Sequence, residues 1–286
     1  MHCDIRVGDC LEVMRQLPDA SVHCCVTSPP YWGLRDYGVD GQLGLEKTPE
    51  EYTQRMVEVF REVRRILRND GTLWLNLGDS YGKGKQLAGV PWRVAFALQA
   101  DGWILRQDLV WHKPSPMPES VRDRCTKAHE YVFLLAKGQR YFFDAEAIGE
   151  DASNASGWAK QRAKGVNTWD YGRDGYVETR IGGMSGKETY ENKSIRNRRS
   201  VWTITPKLYS GAHFATMPPD LAELCIRAGT DKNASPPCTV FDPFAGAGTT
   251  GLVALRLGRN FLGIELNPDY VTLARNRIAS EFPLFV

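Results

Sequence analysis

One segment near the end of this 286-residue sequence restricts the fold more than any other feature. TVFDPFAGAGTTGLVALRLG reads as a buried strand, a glycine-rich turn and a helix. Gly246, Gly248 and Gly251 fit the pattern G-x-G-x-x-G, in which glycines let the backbone approach a ligand at the start of a helix. Glu265 ends the next strand, FLGIEL, where a carboxylate can accept hydrogen bonds from both hydroxyls of a ribose. The segment therefore predicts an adenosine-containing cofactor.

The surroundings of this turn favour S-adenosylmethionine over a dinucleotide. Only 35 residues follow Gly251, too few for the rest of a dinucleotide-binding fold unless the order of the chain is permuted. Asp242 and Pro243 precede the turn. A carboxylate there is a poor neighbour for a pyrophosphate, but it suits the ammonium group of an amino-acid tail. A dehydrogenase on the same fold, and a glycine turn that serves only packing, are the alternatives.

The rest of the chain alternates β-rich runs with amphipathic stretches, which is typical of a mostly parallel sheet covered on both faces. The clearest helix follows Thr48, with Pro49 at its first position and Gly71 beyond its last turn. Further helices are predicted over residues 90–99, 219–227, 250–257 and 268–278. Strands are predicted over residues 4–7, 22–27, 72–77, 103–111, 131–136, 239–241 and 261–264.

A second motif, TSPPY, follows the apolar strand VHCCV. Pro29 and Pro30 lack backbone donors but keep their carbonyl acceptors, Ser28 adds a hydroxyl, and Tyr31 adds an aromatic face. Such a site offers acceptors and stacking but no strong nucleophile, which suits the exocyclic amine of a nucleobase. Ser28 and the Pro29 carbonyl would hold its N–H bonds while its lone pair attacks a sulfonium methyl group. A plain proline-rich turn is the alternative.

Together, TSPPY and FDPFAGAGTT resemble the β group of amino-methylating DNA methyltransferases, which modify cytosine N4 or adenine N6. The resemblance implies an α/β, Rossmann-like fold that depends on S-adenosylmethionine, in circularly permuted order. Residues 1–149 would form its catalytic half, residues 150–199 an inserted target-recognition region, and residues 200–286 its cofactor-binding half. In that order DIRVGDC continues the sheet beyond FLGIEL, so the two ends of the chain should lie close together.

The same resemblance assigns residues to the two sites. It implies that Asp9 reads the adenine amine of the cofactor, although Asp9 is also placed to cap the helix after it. Phe214 and Pro218 would flank the methionine or adenine moiety. The full expected cofactor set is Asp9, Phe214, Pro218, Asp242, Phe244, Gly246, Gly248, Thr249, Thr250 and Glu265. The expected acceptor set is Ser28, Pro29, Pro30 and Tyr31, with Tyr31 stacked on the target base.

The implied substrate is double-stranded DNA, whose target base must flip out of the helix to enter such a pocket. Trp111 is the candidate wall opposite Tyr31, with Lys113 near a phosphate, and core packing is the alternative for Trp111. Target recognition falls to residues 150–199, where aromatic and basic residues interleave, and a solvated surface excursion is the alternative there. The basic run expected to contact phosphates is Lys193, Arg196, Arg198 and Arg199.

Ser28 favours cytosine N4 as the target, because Asp or Asn stands at this position in many adenine-specific members of the family. Adenine N6 is the alternative, and a non-catalytic nucleic-acid-binding module is the competing class. Cytosine-C5 chemistry is excluded, because it needs a cysteine nucleophile after the acceptor strand. The only Pro-Cys pair, Pro237–Cys238, leads instead into the cofactor strand.

Composition adds a few expectations. The formal net charge of +2 gives no sign of a nucleic-acid partner, so contacts with DNA must be local. Seven cysteines without a CxxC pair favour reduced thiols, and neither a leader pattern nor an apolar run of about 20 residues is present. We therefore expect a cytoplasmic protein without membrane contact or a metal site. It would be a monomer or homodimer, with a restriction endonuclease as a candidate partner.

Overall fold

The computed structural model describes residues 1–151, 195–206 and 217–285. Its helices are α1 (Cys10–Met14), α2 (Pro49–Ile66), α3 (Val90–Ala100), α4 (Pro219–Gly229), α5 (Thr249–Arg256) and α6 (Pro268–Ala279). The strands are β1 (Cys3–Val7), β2 (Val22–Thr27), β3 (Leu67–Leu77), β4 (Ile104–His112), β5 (His129–Ala136), β6 (Glu150–Asp151), β7 (Ile195–Arg196), β8 (Val201–Thr203), β9 (Thr239–Asp242) and β10 (Asn260–Glu265).

Among the described residues, eight strands form one mixed sheet in the order β1–β10–β9–β2–β3–β5–β4–β8. The strands from β1 to β3 in this order pair in parallel, β5 is antiparallel to both of its neighbours, and β8 is parallel to β4. The carboxyl ends of β1, β2, β3, β4, β9 and β10 therefore meet at one edge of the sheet. Ligands of open α/β sheets bind at this edge.

Helices cover both faces of the sheet. Side chains alternate between the two faces along each strand, so apolar residues on both faces need covering. On β2, Cys24 and Val26 face a core built with α4, α5 and α6. Cys25, between them, faces a second core built with α1, α2 and α3. Both faces are thus apolar, as the continuous run VHCCV indicates, and the predicted α/β fold is confirmed.

The permuted strand order is also found. β1 pairs in parallel with β10, with Cys3 opposite Phe261 and Val7 opposite Glu265. Arg275 of α6 donates to the Ile5 carbonyl oxygen at 2.7 Å, which links the last helix to the first strand. The prediction that DIRVGDC continues the sheet beyond FLGIEL is therefore correct.

The predicted boundary between α2 and β3 was wrong. The helix ends at Ile66, and β3 begins at Leu67, five residues earlier than expected. Leu67 is fully buried and pairs with Val22 at the start of β2, so sheet pairing takes this residue from the helix. The short strands β6, β7 and β8 had no alternating pattern long enough to predict them.

Two of these short strands form the base of the region predicted to be an insertion. Glu150 pairs with Arg196 and Asp151 with Ile195, in antiparallel register. Residues 151 and 195 are therefore neighbours, and we call this pair of strands the insertion neck. β8 then joins the main sheet beside β4.

Membrane-spanning helices and metal sites were expected to be absent, and the structure bears on this only within the described ranges. Within them, no helix is both long enough and apolar enough to cross a membrane. A search of the same ranges finds no group of three or more His, Cys, Asp and Glu side chains arranged to hold a metal ion.

Candidate active site at the carboxyl edge of the sheet

A cleft opens at the carboxyl edge of the sheet, between the loops that follow β1, β2, β9 and β10. The segment from Asp242 to Ala247 and a loop over residues 37–43 both line it. The predicted residues that line it are Asp9, Ser28, Pro30, Asp242, Phe244, Gly246, Thr249, Thr250 and Glu265. The structure thus brings both sequence motifs into one cavity, which we call the cofactor cleft.

The three glycines of the turn have different roles. Gly246 has a φ of +51°, and a Cβ there would meet no atom closer than 3.9 Å, so the backbone borders open space. At Gly248 (φ +73°) a Cβ would lie 2.9 Å from the Cβ of Ala274. At Gly251 it would lie 2.6 Å from the ring of Phe261. The first glycine therefore leaves room for a ligand, while the others allow α5 to pack closely.

Glu265 lies across the cleft from the glycine turn. Its Oε2 accepts from the Gly246 N–H at 2.8 Å, and its Oε1 accepts from the Asn267 N–H at 2.9 Å. Burial raises the pKa of this carboxyl group. Each carboxylate oxygen can accept a second hydrogen bond, so both remain suitable for ribose hydroxyls. The two carboxylate acceptors and the open space at Gly246 fit an adenosine-containing cofactor.

Asp242 has a structural role that its sequence position did not reveal. Only 3% of the residue is exposed, and its Oδ1 accepts from the Thr27 hydroxyl at 2.6 Å and the Phe244 N–H at 3.0 Å. Its Oδ2 accepts from the Thr250 hydroxyl at 2.7 Å. Three of its roughly four acceptor positions are therefore used within the protein. Burial raises the pKa of Asp242 to about 6, although these three hydrogen bonds act in the opposite direction.

The remaining cofactor predictions have mixed outcomes. Asp9 lines the cleft and also caps α1, since its Oδ1 accepts from the Leu11 N–H at 2.9 Å and the Glu12 N–H at 3.0 Å. Pro218 is buried at the start of α4, whereas its neighbour Met217 lines the cleft. Phe214 lies outside the described residues. The Thr249 hydroxyl accepts from Arg277 at 2.9 Å.

The acceptor motif ends β2 beside this cleft. The Pro30 carbonyl accepts from the Tyr52 hydroxyl at 2.8 Å. In the described parts of the chain, no protein donor reaches the Pro29 carbonyl. Ser28 lines the cleft, whereas Pro29 is buried and is not among the lining residues, so their joint role as acceptors for a substrate stays a prediction. The Tyr31 ring lies against Gly78, where a Cβ would be 2.6 Å from its Cε2 atom.

Two polar residues that the sequence analysis missed lie against this motif. The Tyr31 hydroxyl donates to Oε2 of Glu130 at 2.7 Å. Nδ2 of Asn76 donates to the same hydroxyl at 2.8 Å and to Oε2 of Glu130 at 3.0 Å. The Lys113 ammonium group forms an ion pair with Oε1 of Glu130. We call Ser28, Tyr31, Asn76, Lys113 and Glu130 the acceptor cluster.

Two predictions for DNA contact need correction. Trp111 is only 4% exposed, its Nε1 donates to the Ile204 carbonyl at 2.9 Å, and the Lys113 ammonium lies 4.5 Å from its ring centroid. Trp111 is therefore a core residue, because β8 pairs beside the carboxyl end of β4 and brings Trp202 and Ile204 into the same apolar core. Lys113 is engaged by Glu130, so it is not an isolated charge for a phosphate.

The arginines of the basic run predicted to contact phosphates also have partners within the protein. Arg196 and Arg199 form ion pairs with Glu150 at 3.3 and 3.0 Å, and Arg198 donates to the Ile148 carbonyl at 2.6 Å. These arginines therefore stabilise the insertion neck, a role that their sequence spacing did not predict. Lys193 lies outside the described residues.

A glycine-turn cleft that ends at a proline-flanked acceptor loop defines the class: a Rossmann-like enzyme that transfers a group from a nucleoside cofactor. Comparison with known proteins narrows this class. The sequence profile of the DNA methylase family matches residues 22–276. The chain is 44% identical over 302 residues to the type II methyltransferase M.XycI of Xanthomonas campestris pv. cyanopsidis, covering 96% of this chain and 87% of the relative. It is 42% identical over 304 residues to M.SmaI of Serratia marcescens, covering 96% and 90%.

Solved structures agree with these matches. TTHA0409 of Thermus thermophilus, assigned as a DNA modification methylase and solved in complex with S-adenosyl-L-methionine, aligns with a TM-score of 0.65. It is 28% identical, and the alignment covers 100% of this chain and 98% of that one. The cytosine-N4-specific PvuII DNA methyltransferase aligns with a TM-score of 0.71 at 22% identity, over 97% and 86% of the two chains, and shares the fold.

The chain belongs to the DNA methylase family of N6 and N4 methyltransferases, to which it is matched over most of its length. It is thus a DNA methyltransferase of the type II restriction-modification class, and S-adenosyl-L-methionine is its cofactor.

Proposed function

We propose that this protein methylates the N4 amine of a cytosine that flips out of double-stranded DNA at a specific site. The observation on which this rests is the Ser28 hydroxyl, which lines the cofactor cleft directly after β2. Pro29 follows it in the chain, and its carbonyl oxygen would be the second acceptor. An exocyclic amine presents two N–H donors, and this pair of acceptors matches them.

The residues around the acceptors support amine methylation rather than covalent catalysis. Cys10 is the one thiol among the described residues that line the cleft, and burial raises its pKa to about 12. It therefore stays protonated and is a poor nucleophile. S-adenosylmethionine, when bound, supplies an electrophilic methyl group, so the enzyme needs only to position the amine. Glu265 and the backbone at Gly246 would hold the ribose side of the cofactor.

Cytosine N4 is preferred over adenine N6 because of Ser28. In the family resemblance noted above, Asp or Asn stands at this position in many adenine-specific members, and the PvuII enzyme, which shares the fold, is cytosine-N4-specific. Adenine N6 is the second candidate, because its amine offers the same two donors to the same acceptors.

We propose that DNA reaches the site across two loops at the same edge of the sheet, residues 79–87 and 113–127, which we call the rim loops. Lys127 donates to the Asp79 carbonyl at 3.3 Å, and the Arg124 guanidinium lies 4.3 Å from the Tyr81 ring centroid, so the loops support each other. Lys83 and Arg122 are exposed on them. These cations would contact phosphates, while residues 150–199 would read the sequence from beyond the insertion neck.

Mass spectrometry of nucleosides tests the reaction directly. DNA is incubated with the pure protein and deuterated-methyl S-adenosylmethionine and then digested. We expect labelled N4-methylcytosine. The Tyr31→Ala variant is a matched control that should bind cofactor normally and methylate much more slowly. Labelled N6-methyladenine would select the second candidate, and binding of DNA without any labelled base would support the non-catalytic module.

The type II relatives also support a cellular context. We propose that the protein acts in the cytoplasm, as a monomer or homodimer, beside a restriction endonuclease of the same target sequence. Light scattering of the pure protein measures its oligomeric state. Digestion of methylated DNA with a panel of endonucleases identifies the protected sequence.

A further inference from the structure

The acceptor cluster draws its five polar side chains from four neighbouring strands. Ser28 and Tyr31 follow β2, Asn76 is on β3, Lys113 follows β4, and Glu130 is on β5. The Ser28 and Tyr31 hydroxyl oxygens are 3.2 Å apart, and Nδ2 of Asn76 is 3.3 Å from the Ser28 oxygen. Every member thus contacts another member, so the direction of each hydrogen bond constrains the next.

Glu130 determines the first of these directions. The Lys113 ammonium and the Asn76 amide both donate to its carboxylate, which in its ionised form can only accept. Burial and the neighbouring Glu130 raise the pKa of Tyr31 well above its usual value, so the phenol keeps its proton. A phenol has one proton, and the 2.7 Å bond to the carboxylate uses it. The Tyr31 oxygen is therefore an acceptor towards Ser28.

Asn76 supports the same arrangement. Its amide nitrogen faces Tyr31, Glu130 and Ser28, whereas its carbonyl oxygen is buried without a partner among the described residues. The opposite amide orientation would place that oxygen 3.0 Å from the Glu130 carboxylate, where two acceptors repel. The orientation that satisfies Glu130 therefore gives no acceptor to the Ser28 hydroxyl.

The direction at Ser28 follows from these two. The Tyr31 oxygen is the acceptor within reach of the Ser28 proton. One serine lone pair faces the Asn76 amide at 3.3 Å, and the other remains for an incoming N–H donor. Reversal of the cluster would instead turn the serine proton towards the substrate amine, and two donors would then face each other.

We propose that Glu130 is a positioning residue for methyl transfer, which acts through Tyr31 to keep the Ser28 hydroxyl an acceptor for the target amine. This inference rests on the proposed function. It makes the Lys113–Glu130 pair part of the machinery that orients the substrate, without contact between either residue and the reacting atoms.

The test compares Glu130→Gln with Tyr31→Phe. In Glu130→Gln the new amide can donate to the Tyr31 oxygen, which frees the phenol proton to turn towards Ser28. Tyr31→Phe keeps the aromatic ring for stacking and removes only the hydroxyl. Each variant should lower kcat by roughly tenfold or more, the scale of a lost charged hydrogen bond. The KM for S-adenosylmethionine and the Kd for DNA should stay within about twofold of wild type, because neither contact is altered.

Glu281→Gln is the matched control, because it also breaks an ion pair. This pair, with Arg256, joins the end of α5 to the residues after α6 and includes no member of the acceptor cluster. The control variant should leave kcat unchanged. Thermal melting of all variants with bound cofactor separates a folding defect from a catalytic one. Tyr31→Phe keeps the Lys113–Glu130 pair, so it remains informative if Glu130→Gln is unstable.

A double variant completes the test. If Glu130 acts through the Tyr31 hydroxyl, Glu130→Gln should change kcat less than about twofold in the Tyr31→Phe background. Multiplicative effects, or a Glu130→Gln enzyme as fast as wild type, would overturn the proposal. The identity of the methylated base in the wild-type reaction is measured separately. A product other than N4-methylcytosine would therefore refute the proposed substrate, whereas the behaviour of these variants judges Glu130.

Discussion

The cofactor cleft and the acceptor cluster lie at the same edge of the sheet but are built differently. Asp242, Gly246 and Glu265 come from one short stretch of chain, and backbone N–H groups make many of their hydrogen bonds. The acceptor cluster joins side chains to side chains, and Tyr31 and Glu130 are 99 residues apart. The glycine turn and Glu265 belong to one segment and therefore have a local sequence pattern, although the loops after β1 and β2 and residues 37–43 complete the cleft. A site built from side chains on several strands has no such pattern.

The largest expected effect is a loss of cofactor affinity, and it tests the cofactor cleft. Glu265→Ala should weaken S-adenosylmethionine binding by about 1.5–3 kcal/mol, because it removes the charged acceptor of the ribose hydroxyls. Isothermal titration calorimetry measures this change. Glu265→Gln, which keeps the shape, should lose less. Unchanged affinity in a folded Glu265→Ala protein would remove this residue from the ribose site.

Next in size is a change that should affect the acceptor cluster alone. A Cβ at Gly78 would overlap the Tyr31 ring, so Gly78→Ala should displace that ring and lower the methylation rate by roughly tenfold. Cofactor affinity should hardly change. At Gly138, a Cβ would meet only ordinary contact at 3.7 Å, so Gly138→Ala is the control. A parallel loss of cofactor affinity would show that the two sites are not separable.

Asp242 links the cofactor turn to the end of β2 through the Thr27 hydroxyl, and its ionisation predicts a pH effect. An unfolded Asp titrates near pH 4, whereas burial raises the pKa of Asp242 to about 6, so the folded protein holds a proton that the unfolded chain releases. Stability from this group is therefore lost as pH rises from about 4 to 6. Relative to wild type, Asp242→Asn should gain on the order of 1 kcal/mol over that range. Urea unfolding at several pH values measures this gain. A difference that is constant with pH would contradict it.

The smallest expected effect concerns DNA contact. Changing Arg196, Arg198 and Arg199 to Ala should reduce the salt dependence of DNA affinity by less than the roughly three units that three free phosphate contacts would give, because Glu150 competes for two of them. Removal of Lys83 and Arg122 from the rim loops should reduce it by about two units. Salt titrations of DNA affinity compare the two variants. A steeper loss from the neck arginines would place the phosphate contacts at the insertion neck.

The sequence by itself determined the features that depend on neighbouring residues. The glycine pattern, the carboxylate that ends FLGIEL, the two prolines and the alternation of apolar segments predicted the α/β fold and the cofactor cleft. The family resemblance of the same motifs implied the permuted strand order. These features are local because a turn or strand obtains its conformation and its backbone hydrogen bonds within a few residues.

Only the tertiary structure decided which side chains meet across strands. Because β5 lies antiparallel between β3 and β4, Glu130 stands opposite Trp111 and close to Asn76, and no spacing in the sequence encodes that register. The pairing of β8 with β4 made Trp111 a core residue. Ion pairs with Glu150 engage Arg196 and Arg199 at the insertion neck. Burial and charge pairing depend on the whole sheet, since a side chain's partners come from strands far away in the chain.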